Sequence, residues 1–281
     1  MKTIIHRTAL LRMSIPVLLM ALPGMAAVIT TSFDFGTGDG KTTYQDAGFF
    51  ANSDANLTIS NMADSVRFRT SSINQTGGIT RTFDGLGDNA KNNFTIDTQF
   101  QLGIYQSTQS QFWRPASVLM FANGGTEGST VTDIHTTGIA VMLRSDGTNN
   151  ANATSLQILQ NGILGSVMDT TAWTGSIINH PDRFNLTVDV SFSGTNDMTV
   201  SAALTRLDDD VTITASHLFA DSASTYIGGD HFGFGGRLQM GSNFNGRTEL
   251  ESFSVSVIPE PGTLVLLGIA LGSLLVFRRR R

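Results

Sequence analysis

Apolar and polar residues alternate with a period of two along most of the central chain. Phe184, Leu186, Val188, Val190 and Phe192 interleave with Asn185, Thr187, Asp189 and Ser191. That is the pattern of a strand with one buried and one wet face. After Ser193-Gly194-Thr195-Asn196 the alternation restarts at Met198, Val200, Ala202 and Leu204, which predicts a hairpin across a short polar turn. Asp208-Asp209-Asp210 forms a second turn and Val211–Ile213 runs back. Phe94, Ile96, Thr98, Phe100 and Leu102 alternate likewise, and Val66–Phe68 and Leu156–Ile158 are shorter cases. Ala116–Ala122 and Gly138–Leu143 are continuous apolar runs, which predict central strands covered on both faces. The last run, Leu250–Val257, places Phe253, Val255 and Val257 on one face.

Between residues 28 and 257 no apolar period of 3.6 persists beyond two turns. Gly, Asn, Asp, Ser and Thr fill the joints, as residues that tolerate turn geometry do. A body of about 230 residues with roughly ten to fourteen strands can bury one substantial core. No internal repeat recurs at a fixed period, which argues against a propeller or solenoid. The expected fold is all-β, a jelly-roll β-sandwich of two packed sheets.

The two ends follow a different logic. Lys2, Arg7 and Arg12 give a basic start, followed by the apolar stretch 13–22, Pro23 and the small-residue site Gly24-Met25-Ala26. This reads as a signal peptide over residues 1–26, because an apolar core of about ten residues is too short to span a bilayer. At the other end Ile258-Pro259-Glu260-Pro261-Gly262 precedes an apolar run, 263–277, and the chain ends in Arg278, Arg279, Arg280 and Arg281. The prolines block backbone donors ahead of a short transmembrane helix. The arginines form a stop-transfer cluster that holds the C-terminus in the cytoplasm. The body, residues 28–257, is therefore expected outside the inner membrane.

This tail closely resembles the PEP-CTERM sorting signal of Gram-negative bacteria that make exopolysaccharide. Pro259, Glu260 and Pro261, the run 263–277 and the Arg cluster carry the resemblance, with Ile258 where that family most often has Val. It implies that residues 258–281 are a sorting signal and that the partner is exosortase, a membrane processing enzyme cutting near Pro-Glu-Pro. It also implies transient anchoring in the inner membrane before delivery to the cell envelope or extracellular matrix. Members' bodies differ, so the tail does not name the body's activity.

Charge sharpens the compartment. Of 18 basic residues, the ends hold Lys2, Arg7, Arg12 and the four terminal arginines, leaving 11. Of 23 acidic residues they hold only Glu260, leaving 22. A body at about −11 does not attract nucleic acid or anionic lipid. The absence of Cys excludes disulfides, thiolate metal sites and a cysteine nucleophile.

A second resemblance is one of rhythm. The stretch from Arg183 to Ile213, the segment Asp230-His-Phe-Gly-Phe-Gly-Gly236 and the closing strand look like the concanavalin A-like, laminin-G-like jelly roll. In that fold the first and last strands pair, here Ile29–Phe35 with Leu250–Val257. The family contains carbohydrate-binding modules and glycosidases, which is analogy of fold and not of site.

The chemistry within the body is sparse. The Glu-x-Asp-x-(x)-Glu strand motif of the laminarinase-like branch is absent. Only Glu127, Glu249 and Glu251 remain. Glu249 and Glu251 share a face of the last strand, and the expected environment is a solvated strand face. No Gly-x-Ser-x-Gly elbow or His-Glu-x-x-His occurs, and His135, His180, His217 and His231 are scattered. The reading is a non-enzymatic protein. The alternative is a glycan-degrading hydrolase on the same fold, which needs two placed carboxylates. No motif calls for a cofactor, and the metal ligands are unknown. Calcium suits an extracytoplasmic protein with oxygen donors, at the loop flanked by Asp34, Asp39 and Asp46 or at Asp208–Asp210, though turn chemistry accounts for both. Gly36-x-Gly38-x-Gly40 is no phosphate cradle, and Gly233, Gly235 and Gly236 read as bends or bulges. The candidate glycan-binding aromatics are Trp113, Tyr105 and Trp173, in polar loop-like stretches. The alternative for such aromatics is a ring folded over the sandwich edge, which the burial tendency of Trp favours. Exopolysaccharide is the expected ligand class.

Overall fold

The alternating runs are strands. In the computed structural model of the chain the described residues are 28–70, 75–83, 92–105, 114–123, 138–148, 151–174, 182–193, 196–221, 231–239 and 245–258. All fall within the unit 27–260. In chain order the strands are β1 (Ile29–Asp34), β2 (Phe50–Ser53), β3 (Leu57–Asn61), β4 (Val66–Thr70), β5 (Gln75–Thr82), β6 (Asn93–Tyr105), β7 (Arg114–Asn123) and β8 (Ile139–Thr148). They continue as β9 (Ala151–Gln160), β10 (Ser166–Thr174), β11 (Asp182–Ser193), β12 (Asp197–Arg206), β13 (Thr212–Phe219), β14 (His231–Gln239) and β15 (Asn245–Ile258). Among the described residues there are fifteen strands and no helix, one strand beyond the expected range.

Two antiparallel sheets form the sandwich. The eight-stranded sheet runs β13-β12-β11-β6-β15-β4-β3, with β1 also beside β15. The seven-stranded sheet runs β10-β9-β8-β7-β14-β5-β2. The hairpin expected between residues 184 and 204 is β11–β12, with Val190 opposite Val200 and Phe192 opposite Met198. The turn at Asp208–Asp210 returns the chain into β13, which pairs β12 from Met198–Phe219 to Thr205–Thr212. First and last strands pair as expected, Ile29 opposite Val257 through Asp34 opposite Ser252.

β15 changes partner halfway. Gly246–Leu250 lies beside β4 and Ser252–Val257 beside β1. The register with β6 slips between Leu250 and Ser252, so Glu251 is the extra residue of a bulge where the neighbour changes.

The inner faces meet in a phenylalanine-rich core. Phe35, Phe49, Phe68, Phe100, Phe184 and Phe253 are among its fully buried side chains. Rings pack edge to face, as Phe94 does on Phe232 at 5.5 Å between centroids, the arrangement the ring quadrupole favours. Within this core the two sheets also meet through a polar contact: the Ser117 and Thr248 hydroxyls lie 2.6 Å apart, both buried. β8 is covered on both faces as its unbroken apolar run requires. Ile139, Val141 and Leu143 join the main core. Ala140 and Met142 join a second cluster with Val118, Leu159 and Ile163 on the outer side of the seven-stranded sheet.

One expectation changes here. Gly233, Gly235 and Gly236 are not bends. They lie inside β14 between β5 and β7, with a register slip only between His231 and Gly233. A Cβ on Gly235 would lie 2.7 Å from the Gly78 Cα and closer still to the Gly77 carbonyl oxygen, so glycine permits a close backbone approach. The outer edge of β13 is not bare. Its Ser216 N–H donates to Asp169 Oδ2 of β10 at 2.8 Å, and the Thr171 hydroxyl donates to the Thr214 carbonyl at 2.7 Å. Such contacts cap an edge that would otherwise invite pairing with another chain.

Candidate functional site

Alternate residues of a strand face opposite ways, so positions in register build rows across the outer face of the eight-stranded sheet. One row is Ser60, Arg67, Glu249, Gln101 and Arg183, carried by β3, β4, β15, β6 and β11. On one side of it lies Thr58, Arg69, Arg247 and Gly103. On the other lies Asp34, Ser252, Gln99 and Asn185, then Ser32, Ser254, Asp97 and Thr187. Near its centre the face is therefore charged and amide-bearing, and toward β1 it is hydroxyl-rich.

The first row is an ion-pair ladder. Glu249 Oε1 accepts from Arg67 Nε at 2.7 Å and pairs with Arg247 Nε at 3.1 Å, while Oε2 accepts from the Ser65 hydroxyl at 3.1 Å. Glu251, pushed out by the bulge, accepts from Gln101 Nε2 at 2.5 Å and from Arg183 Nε at 3.1 Å. The hydrogen bond to Glu251, with its charge, raises the Arg183 guanidinium above its ordinary pKa. Glu249 is 6% exposed and Glu251 9%. The expectation of a solvated acidic face is thus corrected: the two glutamates share a face, but under arginine side chains. A carboxyl acting on a glycosidic bond must be open to substrate, and these two are committed to guanidinium partners.

Beside the ladder, toward β1, lies a polar groove of about 550 Å³. Asp34, Asp97, Gln99, Asn185, Ser252 and Ser254 line it, and the turn at Gly40–Thr42 borders it. Lys41 Nζ sits 2.6 Å from Asp34 Oδ1, and the Thr187 hydroxyl donates to Asp97 at 2.6 Å. Hydroxyls, amides and carboxylates in such a groove can donate to and accept from the hydroxyls of a sugar. A smaller recess of about 280 Å³ lies over β3 and β4, where Arg67 and Arg69 border Asn56, Thr58 and Ser60.

At the second acidic turn, Arg206 Nε donates to Asp209 Oδ1 at 2.9 Å. That hydrogen bond holds the Asp209 carboxyl below its ordinary range. A depressed carboxyl supports the turn above its unfolded pKa and loses that support as pH falls through the folded value. In a carbon-13 titration Asp209 is expected to protonate at lower pH than an unpaired aspartate, and Arg206→Gln is expected to return it to the ordinary range. An unchanged midpoint in the variant would refute the assignment.

Trp173 is not a loop aromatic. It lies in β10, opposite Thr154, and is 3% exposed. Its ring meets Phe184 edge to face at 5.8 Å, with the Arg206 guanidinium 5.4 Å from its centroid. It presents no ring face to a ligand, in line with the alternative that Trp burial favours. Tyr105 is the last residue of β6. Trp113, Glu127, His135, His180, the segment 1–26 and the sorting residues 259–281 lie outside the described residues.

Asp34 is taken by Lys41, and Asp46 accepts from the Thr43 hydroxyl at 2.6 Å. Among the described residues no group of three or more His, Asp or Glu side chains could hold a metal ion, and no helix is long and apolar enough to cross a membrane. Sequence reasoning missed Arg67, Arg69, Arg183 and Arg247. Arginine at alternate positions 67 and 69 was visible, but the carboxylate that Arg67 meets lies 182 residues away on β15.

Comparison with solved structures identifies the architecture. Peanut lectin, solved with a nine-residue peptide, superposes with a TM-score of 0.54 at 16% identity, covering 83% of this chain and 98% of that one. Winged bean acidic lectin complexed with methyl-α-D-galactose gives 0.53 at 13% identity, covering 83% and 99%. The seed lectin of Lotus tetragonolobus gives 0.53 at 15% identity, covering 83% and 100%. The body has the legume-lectin, concanavalin A-like jelly-roll fold. At the C-terminus, residues 257–281 match the PEP-CTERM protein-sorting motif, so the chain carries the sorting signal of an exported protein. In sequence, no curated protein matches the chain.

Proposed function

We propose that the chain is an exported cell-surface or extracellular-matrix protein whose body, residues 28–257, is a non-catalytic carbohydrate-binding or structural module. The signal peptide (1–26) starts export. Exosortase then processes the chain near Pro259-Glu260-Pro261 while the segment 263–277 and Arg278 to Arg281 hold it in the inner membrane. The observation that carries this reading is a lectin jelly roll joined to a PEP-CTERM motif. The capture of Glu249 and Glu251 by arginines favours binding over glycoside hydrolysis.

A glycan array with the released protein, repeated with EDTA and with Trp113→Ala, tests the body. Binding to a polysaccharide class without release of reducing ends is the expected result. Hydrolysis of a bound glycan would install the hydrolase reading, and an array blank for every glycan would leave a structural module. Mass spectrometry of culture fractions tests the delivery: the expected product ends near the Pro-Glu-Pro. An intact Arg-terminated chain confined to the cytoplasm would overturn the sorting assignment.

A further inference from the structure

The bulge at Glu251 builds the floor of the polar groove beside β1. Leu250 and Phe253 are both fully buried in the core, although residues three apart in a regular strand face opposite ways. The extra residue resets the alternation, so Ser252 and Ser254 face outward beside Gln99 and Asp97 of β6. Asn185 and Thr187 of β11 continue those two rows. One wall is the turn after β1, and it is pinned at both ends. The Thr42 N–H donates to the Asp34 carbonyl at 3.0 Å, and the Gly38 N–H donates to the Ala63 carbonyl at 2.8 Å.

The groups on this floor match the vicinal hydroxyls of a sugar. An ionised carboxylate accepts at about four positions, and the Thr187 hydroxyl takes one oxygen of Asp97. The Gln99 and Asn185 amides stand opposite each other, and each can donate and accept. The charge disfavours an anion. Lys41 neutralises Asp34, and Arg183, one row away, is held by Glu251. Asp97 is bonded by a neutral hydroxyl and keeps its charge, within a body at about −11, so an acidic glycan is repelled. The volume of about 550 Å³ falls within the roughly 300–1,000 Å³ of small-molecule sites. The rings beneath it, Phe33 and Phe253, pack into the core, so recognition rests on hydrogen bonds. Each of these contributes little against water, and the repeated units of a polymer make up the difference.

We propose that Asp97, Gln99, Asn185, Ser252 and Ser254 form a subsite for the vicinal hydroxyls of a neutral polysaccharide, on the outer face of the eight-stranded sheet. The inference rests on the carbohydrate-binding reading and names its site and ligand class.

Affinity electrophoresis of the exported protein tests this, in native gels containing dextran, galactomannan, xyloglucan or polygalacturonate. Wild type is expected to be retarded by at least one of the three neutral polymers, equally at low and high salt, and not by polygalacturonate. Gln99→Ala is expected to weaken that retardation about tenfold, the effect of losing an amide that donates and accepts. Ser254→Ile fills the floor with a side chain suited to a strand and should abolish it. Thr170→Ala lies on the outer side of the other sheet, in the row of Gln157 and Met142, and should leave it unchanged. Circular dichroism on every variant separates loss of binding from loss of fold. Equal retardation of wild type, Gln99→Ala and Ser254→Ile overturns the subsite and leaves the carbohydrate-binding reading intact. Retardation by polygalacturonate alone, or retardation that salt removes, overturns the neutral ligand and also leaves that reading intact. No retardation in any gel removes both.

Discussion

Replacing Gly235 by alanine is expected to destabilise the sandwich by more than about 3 kcal/mol, because the added methyl meets backbone that cannot move aside. The ideal Cβ lies against the Gly77 carbonyl and 2.7 Å from the Gly78 Cα. Both belong to β5, which is held by β14 on one side and β2 on the other, so relief requires separating strands. Gly40→Ala is the control. There the Cβ meets nothing within 4 Å, but φ is +74°, so only left-handed backbone strain of about 1–2 kcal/mol is expected. Urea denaturation followed by intrinsic fluorescence reads both. A Gly235→Ala protein as stable as wild type would show that β5 and β14 are not in such close contact.

Glu249→Ala is expected to cost about 3 kcal/mol, at the low end for a broken buried ion pair. The loss is not larger because the Arg67 side chain remains 25% exposed and water can solvate it. The mechanism is desolvation: Arg67 and Arg247 lose their shared anion, and the Ser65 hydroxyl loses its acceptor. Glu249→Gln keeps an acceptor for Ser65 and should lose less. If Glu249→Ala falls within about 0.5 kcal/mol of wild type, the ladder behaves as an ordinary surface pair and the cluster carries little of the fold's stability. Glu249 lies on a strand that also frames the candidate face, so folded fractions must be matched before any binding comparison.

The periodic part of this fold was legible. The β11–β12 hairpin follows from Phe184 to Leu204 alone, because a strand with one wet face must alternate. The double burial of β8 follows from its unbroken apolar run, since no polar residue there could face water. Resemblance to the jelly roll added the pairing of β1 with β15. The polar side of the same strands was not legible. Glu249 and Glu251 looked like residues of a wet face because their sequence neighbours are polar. Their cover comes from Arg67 on β4, Arg183 on β11 and a one-residue bulge. Trp173 sat in a stretch that reads as a loop, and its burial depends on Phe184 and Arg206 closing over it from other strands.

By itself, then, the sequence determined which residues turn inward, that the body is all-β, and that its end carries a sorting motif. Those are local properties, set by the spacing of apolar residues and by the order of a short motif. Only the tertiary structure decided which polar residues stand side by side. Cross-strand rows such as Ser60, Arg67, Glu249, Gln101 and Arg183 are fixed by register between segments far apart in the chain. Register is chosen by the packing of the opposite, buried face, so the composition of the outer face follows from a core in which its own residues take no part.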